Sequence, residues 1–213
     1  MSNLNPDKAL IFRIVHVKNV SWILEHGMHC RNSPSQDPNY VNIGNVSLIS
    51  KRSAHPVPIA PSGTLSDYVP FYFTPYSIMM YNIHTGYGGI PRQDNRDIVI
   101  FVSSLHKVHS SGLSFVFTNQ HAYHSGTDFY SDLADLRQID WKLLQSRNFK
   151  TNDEDPGRPL RYQAEALIHR HMPLSALLGV VCYSDPVRQS IEALAQKFGQ
   201  IITVKTIPQW YFT

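Results

Sequence analysis

The chain has 213 residues, 42% of them hydrophobic, which suits one globular domain with a sizeable core and excludes a disordered chain. No apolar run approaches the ~18–20 residues of a membrane-spanning helix. The formal net charge is only +3, and the two cysteines, Cys30 and Cys182, stand outside any CxxC, so neither a disulfide framework nor a zinc site is indicated. The opening MSNLNPDKAL has no basic region followed by an apolar one, so a signal peptide is not expected and a cytoplasmic location is.

Residues 9–15, ALIFRIV, read as a buried strand. VSWILEHG follows, with Asn19 placed to cap a short helix and Gly27 placed to end it. Residues 31–66 are rich in Ser, Pro, Asn and Gly and form a long loop, the kind that serves as a lid or binding element. A short helix or irregular turn is expected over 45–54, carrying Lys51 and Arg52. YVPFYF, 68–73, is a strand, and Thr74-Pro75 opens a helix running to about His84. TGYGGIPRQDNR is a flexible loop.

Residues 97–102 form a strong strand, Ser104 opens a short helix ending near Gly112, and 114–118 form another strand. The stretch 119–136 is polar and aromatic with helical pieces, and Asp140-Trp141 opens IDWKLLQS. A central strand spans 163–171, and the next spans 177–183. Asp185-Pro186 caps a helix over 187–198, and the last strand runs over 200–206 before an aromatic tail. Short strands, few long helices and large loops indicate an α+β domain with a split or strongly bent sheet.

Nucleotide-binding, zinc-protease and serine-hydrolase motifs are missing: there is no GxxxxGK[ST], HExxH or GxSxG, and GYGGIP has no helix after it. His169 and His171 could share a metal, but no third ligand is spaced to help. Cys182 reads as a core residue. What remains is a set of polar residues at the ends of elements: Arg13, His16, Asn19, Arg52, Tyr72, His121 and Glu165. Arg13 stands out, because a guanidinium inside an apolar strand needs a partner. On an extended strand Gln163 and Glu165 would face one cleft, where a carboxylate could hold a hydroxyl and stabilise positive charge. The plainer local reading is a solvated Glu on an edge strand.

IFRIVHVKNVSWILEHG, YVPFYFTPYSIMMY, FVFTNQHA, FYSDLADLRQIDW and QAEALIHRHMP, in that order, resemble the DarT family of DNA ADP-ribosyltransferase toxins. The likeness covers nearly the whole chain, and Gln163-x-Glu165 also resembles the motif of the wider ADP-ribosyltransferase superfamily. It implies an ADP-ribosyltransferase-like fold and transfer of ADP-ribose from NAD to thymine in single-stranded DNA, with a DarG-like antitoxin as partner and no metal. It also implies Glu165 and Arg52 as catalytic residues. The cofactor end would be held by Arg13, Ile14, Val15 and His16, with Asn19, Trp22, Cys30 and Tyr72 around it. Some members carry His at the position of Arg13. One domain, 1–213, would contain an NAD-binding element at 36–54 and a substrate-binding region at 109–165. A weakly basic chain with 11 Tyr, 10 Phe and 3 Trp can hold single strands by stacking and Arg contacts. For DNA, the expected contacts are His121, Tyr123, Gln163, Tyr87, Arg92 and Arg96. The alternatives are a related transferase or phosphotransferase acting on RNA or protein, and a non-catalytic nucleic-acid-binding module.

Overall fold

The computed structural model describes residues 4–213. In chain order the elements are β1 (Leu10–His16), α1 (Val20–His26), β2 (Met28–His29), α2 (Val46–Arg52), β3 (Tyr68–Tyr72) and α3 (Ile78–Thr85). Then come β4 (Ile98–Ser104), α4 (Leu105–Ser110), β5 (Phe115–Thr118), β6 (Phe129–Tyr130), α5 (Trp141–Ser146) and α6 (Arg158–Arg161). The chain closes with β7 (Glu165–His169), β8 (His171–Met172), β9 (Gly179–Cys182), α7 (Asp185–Lys197) and β10 (Val204–Thr206).

Eight strands form one sheet in the order β10-β9-β4-β1-β3-β7-β5-β6, and β2 pairs with β8 in a small second sheet. All seven residues of β4 are buried, as its unbroken apolar run requires of a strand covered on both faces. β1 pairs with β4 along its whole length, from Leu10 opposite Ser104 to His16 opposite Ile98. Against β3 it keeps a single register pair, Phe12 opposite Tyr72. The expected split in the sheet therefore falls between β1 and β3. Its cause is local. Pro70 in β3 has no N–H to give to a ladder, and Arg13 Nη1 donates to the Pro70 carbonyl at 2.7 Å. A side chain takes the place of strand pairing, and that is the partner the buried strand's guanidinium needed.

α7 opens at Asp185 behind Ser184, so Asp185-Pro186 forms its first turn and does not cap a helix over 187–198, and the last strand covers only Val204–Thr206 of the 200–206 expected. Two other elements differ in how they are built. Thr74 does not open the helix: its Oγ1 accepts from the Tyr76 N–H at 3.2 Å in a local turn. Ser77, with extended backbone, caps α3 by accepting from Met80 N–H, and Gly86 ends it in the left-handed conformation. The strand expected over 163–171 is broken at both ends. Gln163 lies in the turn after α6, and Arg170 is left-handed at φ +63°. The Arg170 N–H donates to the Asp67 carbonyl and its carbonyl accepts from Cys30 N–H. That kink hands residues 171–172 to β2. Gly27 permits the close approach of β2 and β8: its φ is +76°, and a Cβ there would meet His171 Nε2 at 2.5 Å and the Met172 carbonyl at 2.7 Å.

Candidate active site

Glu165 is the first residue of β7 and is only 2% exposed. β7 lies between β3 and β5, so the edge-strand reading of this carboxylate fails, and Glu165 stands opposite Tyr72 in the neighbouring strand. Its backbone is fixed from β5, where the Glu165 N–H donates to Thr118 Oγ1 at 3.1 Å. Its carboxylate takes a two-pronged guanidinium contact from the last residue of α2. Arg52 Nη1 donates to Oε1 at 3.2 Å and Nη2 to Oε2 at 2.9 Å. The Ala122 backbone N–H also donates to Oε1 at 3.0 Å. This is charge-assisted, bidentate geometry, and it joins residues 113 positions apart in the chain.

The electrostatics follow from burial and pairing. Burial pushes the Glu165 carboxyl up, but the Arg52 charge leads a set of opposing contacts that hold it below its ordinary value. Burial likewise acts to lower the Arg52 pKa, and the Glu165 charge and hydrogen bonds raise it overall. The two are ionised together. Tyr72 is pushed up by burial first and by the Glu165 charge second, so its phenol stays protonated; it donates to Met79 Sδ at 3.8 Å. His121 is lowered, with burial the largest cause. Its Nδ1 accepts from the Tyr123 N–H at 3.2 Å, which leaves the neutral ring its proton on Nε2.

These groups open onto one cavity at the split in the sheet. Arg13 and Ile14 of β1, Trp22 of α1, Arg52, Tyr72, His121 and Glu165 all line it. Its charged lining is Arg13, Arg31 and Arg52 against Asp37 and Glu165, an excess of guanidinium suited to a diphosphate. Apolar and aromatic walls with a few convergent polar groups are the usual form of a nucleotide cofactor site.

The expected residues separate into three groups. Arg13, Ile14, Trp22, Arg52, Tyr72, His121 and Glu165 come together at the cavity. Val15, His16, Asn19 and Cys30 support it from behind. Val15 and Cys30 are core residues, and His16 Nδ1 accepts from Lys18 N–H at 3.1 Å. Asn19 clamps the long loop, donating to the Val41 carbonyl at 2.9 Å and accepting from the Val41 N–H at 2.8 Å. The third group is elsewhere. Gln163 does not share a face with Glu165: its amide donates back to the Pro159 carbonyl at 3.0 Å. Tyr87 is 69% exposed, Arg92 donates to the His84 carbonyl, and Arg96 pairs with Asp94. The Tyr123 ring lies 4.9 Å from that of His55. Sequence reasoning missed the Ala122 amide, Thr118 and the lining residues His29, Ser66, Tyr68 and Met79. A backbone donor leaves no mark in residue type, and the others become neighbours only through the tertiary fold.

A family model described as "ssDNA thymidine ADP-ribosyltransferase, DarT" matches residues 12–212. The chain belongs to the DarT family. A DNA ADP-ribosyl transferase of Escherichia coli O127:H6 is 51% identical over 212 residues, spanning 100% of this chain and 97% of that protein. The DarT-family fold also matches solved structures. Thermus sp. 2.9 DarT in complex with ADP-ribosylated ssDNA superposes with a TM-score of 0.86 at 29% identity, covering 97% of this chain and 98% of that one. The same protein in complex with NAD+ superposes with a TM-score of 0.83 at 30% identity, covering 97% and 99%. The split sheet and the buried Arg52–Glu165 pair therefore sit on a DarT-family framework.

Proposed function

We propose that this chain is an NAD-dependent toxin enzyme that transfers ADP-ribose to the thymine of thymidine in single-stranded DNA. The observation that carries the reading is the buried Arg52–Glu165 pair inside a guanidinium-rich cavity, in a chain of this family. In the reaction the bond between the nicotinamide nitrogen and the ribose carbon breaks, a thymine ring nitrogen forms the new bond to that carbon, and the nitrogen loses its proton. Nicotinamide leaves neutral. Positive charge builds on the ribose as the bond breaks, by analogy with glycoside cleavage. A fixed carboxylate stabilises that charge. Glu165 has the position and the ionisation for it, and it can also hold a ribose hydroxyl.

Arg52 stays protonated, since a guanidinium does not give up its proton in a protein. Its role is to hold anionic or carbonyl oxygen, on the phosphates or on the base, with Glu165 nearer the departing proton. Arg52 takes one acceptor site on each carboxylate oxygen and the Ala122 N–H takes the second on Oε1, which leaves the second site of Oε2 for a ribose hydroxyl. α2 has no buried residue, which lets Arg52 move without exposing core. Residues 36–54 would form the NAD-binding element and 109–165 the substrate-binding region, the latter delivering the Ala122 amide and His121 to Glu165. A flipped or unpaired base is needed to reach such a cavity, which favours single strands. Among the described residues no helix is long and apolar enough to cross a membrane. A cytoplasmic site of action with a cognate DarG-like antitoxin completes the reading.

The test is labelled NAD offered to single-stranded DNA, RNA and protein in parallel, with products read by mass spectrometry. Label on DNA supports the proposal. Label only on RNA or protein moves the acceptor to one of those classes, and no NAD turnover with DNA present makes the chain a binding module.

A further inference from the structure

A second cleft lies across α3 from the Arg52–Glu165 cavity. Met79 lines the cavity, and Tyr81, two residues on, lines the cleft with Arg147, Asn148, Phe149, Lys150 and Phe212. Two residues carry a side chain about 200° around a helix, so one helix presents a face to each site. The cleft combines two chemistries. Its aromatic wall is built edge-to-face, with Tyr81 5.4 Å from Phe149 and 5.5 Å from Phe212, and with Phe149 6.2 Å from Phe212. Its rim is cationic: Arg147 and Lys150 are exposed, and among the described residues no side-chain carboxylate lines the cleft.

Arg147 is held in place by its own backbone. It ends α5 in the left-handed conformation at φ +57°, and its guanidinium carbon lies 3.9 Å from the centre of the Tyr76 ring. Downstream, Arg158 and Arg161 pair with Asp155. Among the described residues neither Arg147 nor Lys150 has such a carboxylate. A packing contact leads from the cleft towards the strand that carries Glu165. The Phe149 ring packs 5.3 Å from that of Tyr162, which is buried three residues before Glu165.

We propose that this cleft is a subsite for one unpaired nucleotide flanking the target thymidine, with its base against the Tyr81–Phe149–Phe212 wall and its phosphodiester at Arg147 and Lys150. The inference rests on the single-stranded DNA reading above and extends it to a second point of contact. Aromatic rings beside unpaired cations are what a single strand needs, because every base has a face to stack and every nucleotide brings one negative charge. The cleft supplies stacking and charge, so it fixes the path of the strand more than the identity of the base. The Asn148 Oδ1 already accepts from the Lys150 N–H at 3.2 Å.

The experiment compares the parent with Lys150→Glu and with Arg147→Gln/Lys150→Glu on single-thymidine oligonucleotides lengthened one nucleotide at a time, on each side separately. In the parent, kcat/KM rises at the length that first reaches the cleft. An abasic residue at that position lowers it about tenfold, the scale of one stacked base. The variants lose that rise, fall about tenfold on the long strand, become insensitive to the abasic residue, and lose less activity as salt is raised. Thermal melting checks that they fold. The proposal is overturned if the variants keep the length dependence, or if they fall by one factor at every length. Lack of DNA transfer by the parent itself would instead overturn the reading beneath it.

Discussion

Replacing Glu165 with Gln removes one charge and almost no volume, and two effects of different size follow. The amide oxygen can still accept from the Ala122 N–H, but the amide nitrogen then faces Arg52 donor to donor where Oε2 now accepts at 2.9 Å. Losing a fixed group that stabilises transition-state charge costs about 2.7–4 kcal/mol, or roughly 10²- to 10³-fold in rate. Removing one member of a buried ion pair costs about 3–5 kcal/mol of stability when the other charge stays buried. Here the Arg52 side chain is 13% exposed and sits on a helix with no buried residue. It can turn towards water, so the stability loss falls at or below about 3 kcal/mol. The assay measures nicotinamide release and oligonucleotide mass for parent and variant, with NAD affinity by calorimetry and folding by thermal melting. The expected variant is folded, binds NAD, and transfers at least a hundredfold more slowly. A folded, NAD-binding Glu165→Gln protein within tenfold of the parent would refute the role given to the carboxylate.

Two further predictions concern groups around the cavity. Burial lowers the His121 pKa below 6.5, so the neutral ring favours the fold above pH 6.5, and this contribution is lost as pH falls from there towards the lowered native value. Nitrogen-15 NMR of the ring should show a titration midpoint below 6.5 with the neutral proton on Nε2; a midpoint above 6.5 would mean that the Glu165 charge outweighs burial. Asn19→Ala leaves both Val41 backbone groups without their partner, a loss of roughly 1–3 kcal/mol, and it frees the loop lining the cavity. Melting temperature should fall and KM for NAD should rise with kcat little changed; an unaltered KM would remove Asn19 from the support of that loop.

The parts of this protein legible in its sequence are those decided by neighbours in the chain. The apolar runs of β1 and β4, the Asn19–Gly27 bounds of α1 and the presence of α7 follow from local pattern, although α7 opens two residues before the 187 expected, with Ser184 at its cap position. Misreadings arose where two local signals competed. Thr74-Pro75 has the form of a helix start, yet Ser77 has the capping geometry and Thr74 is used in a turn. Gln163 and Glu165 would share a face only if the strand began two residues earlier; α6 and its turn occupy that stretch instead. Local sequence alone favours a solvated charge at Glu165, because the groups that enclose it, Arg52, Thr118 and the Ala122 amide, lie 113, 47 and 43 positions away. The family resemblance, which carries long-range information, supplied that assignment. Asn19 shows the reverse: placed for a helix cap, it makes no cap hydrogen bond, and its side chain holds a loop 22 residues on.

The most direct measurement is fragmentation mass spectrometry of a single-stranded oligonucleotide with one thymidine after incubation with NAD and the protein. The account predicts one ADP-ribosyl group on the thymine base with release of nicotinamide, and no adduct when that thymidine is replaced by deoxycytidine. An unmodified strand under conditions where NAD binds, or an adduct on the strand without thymidine, would contradict it.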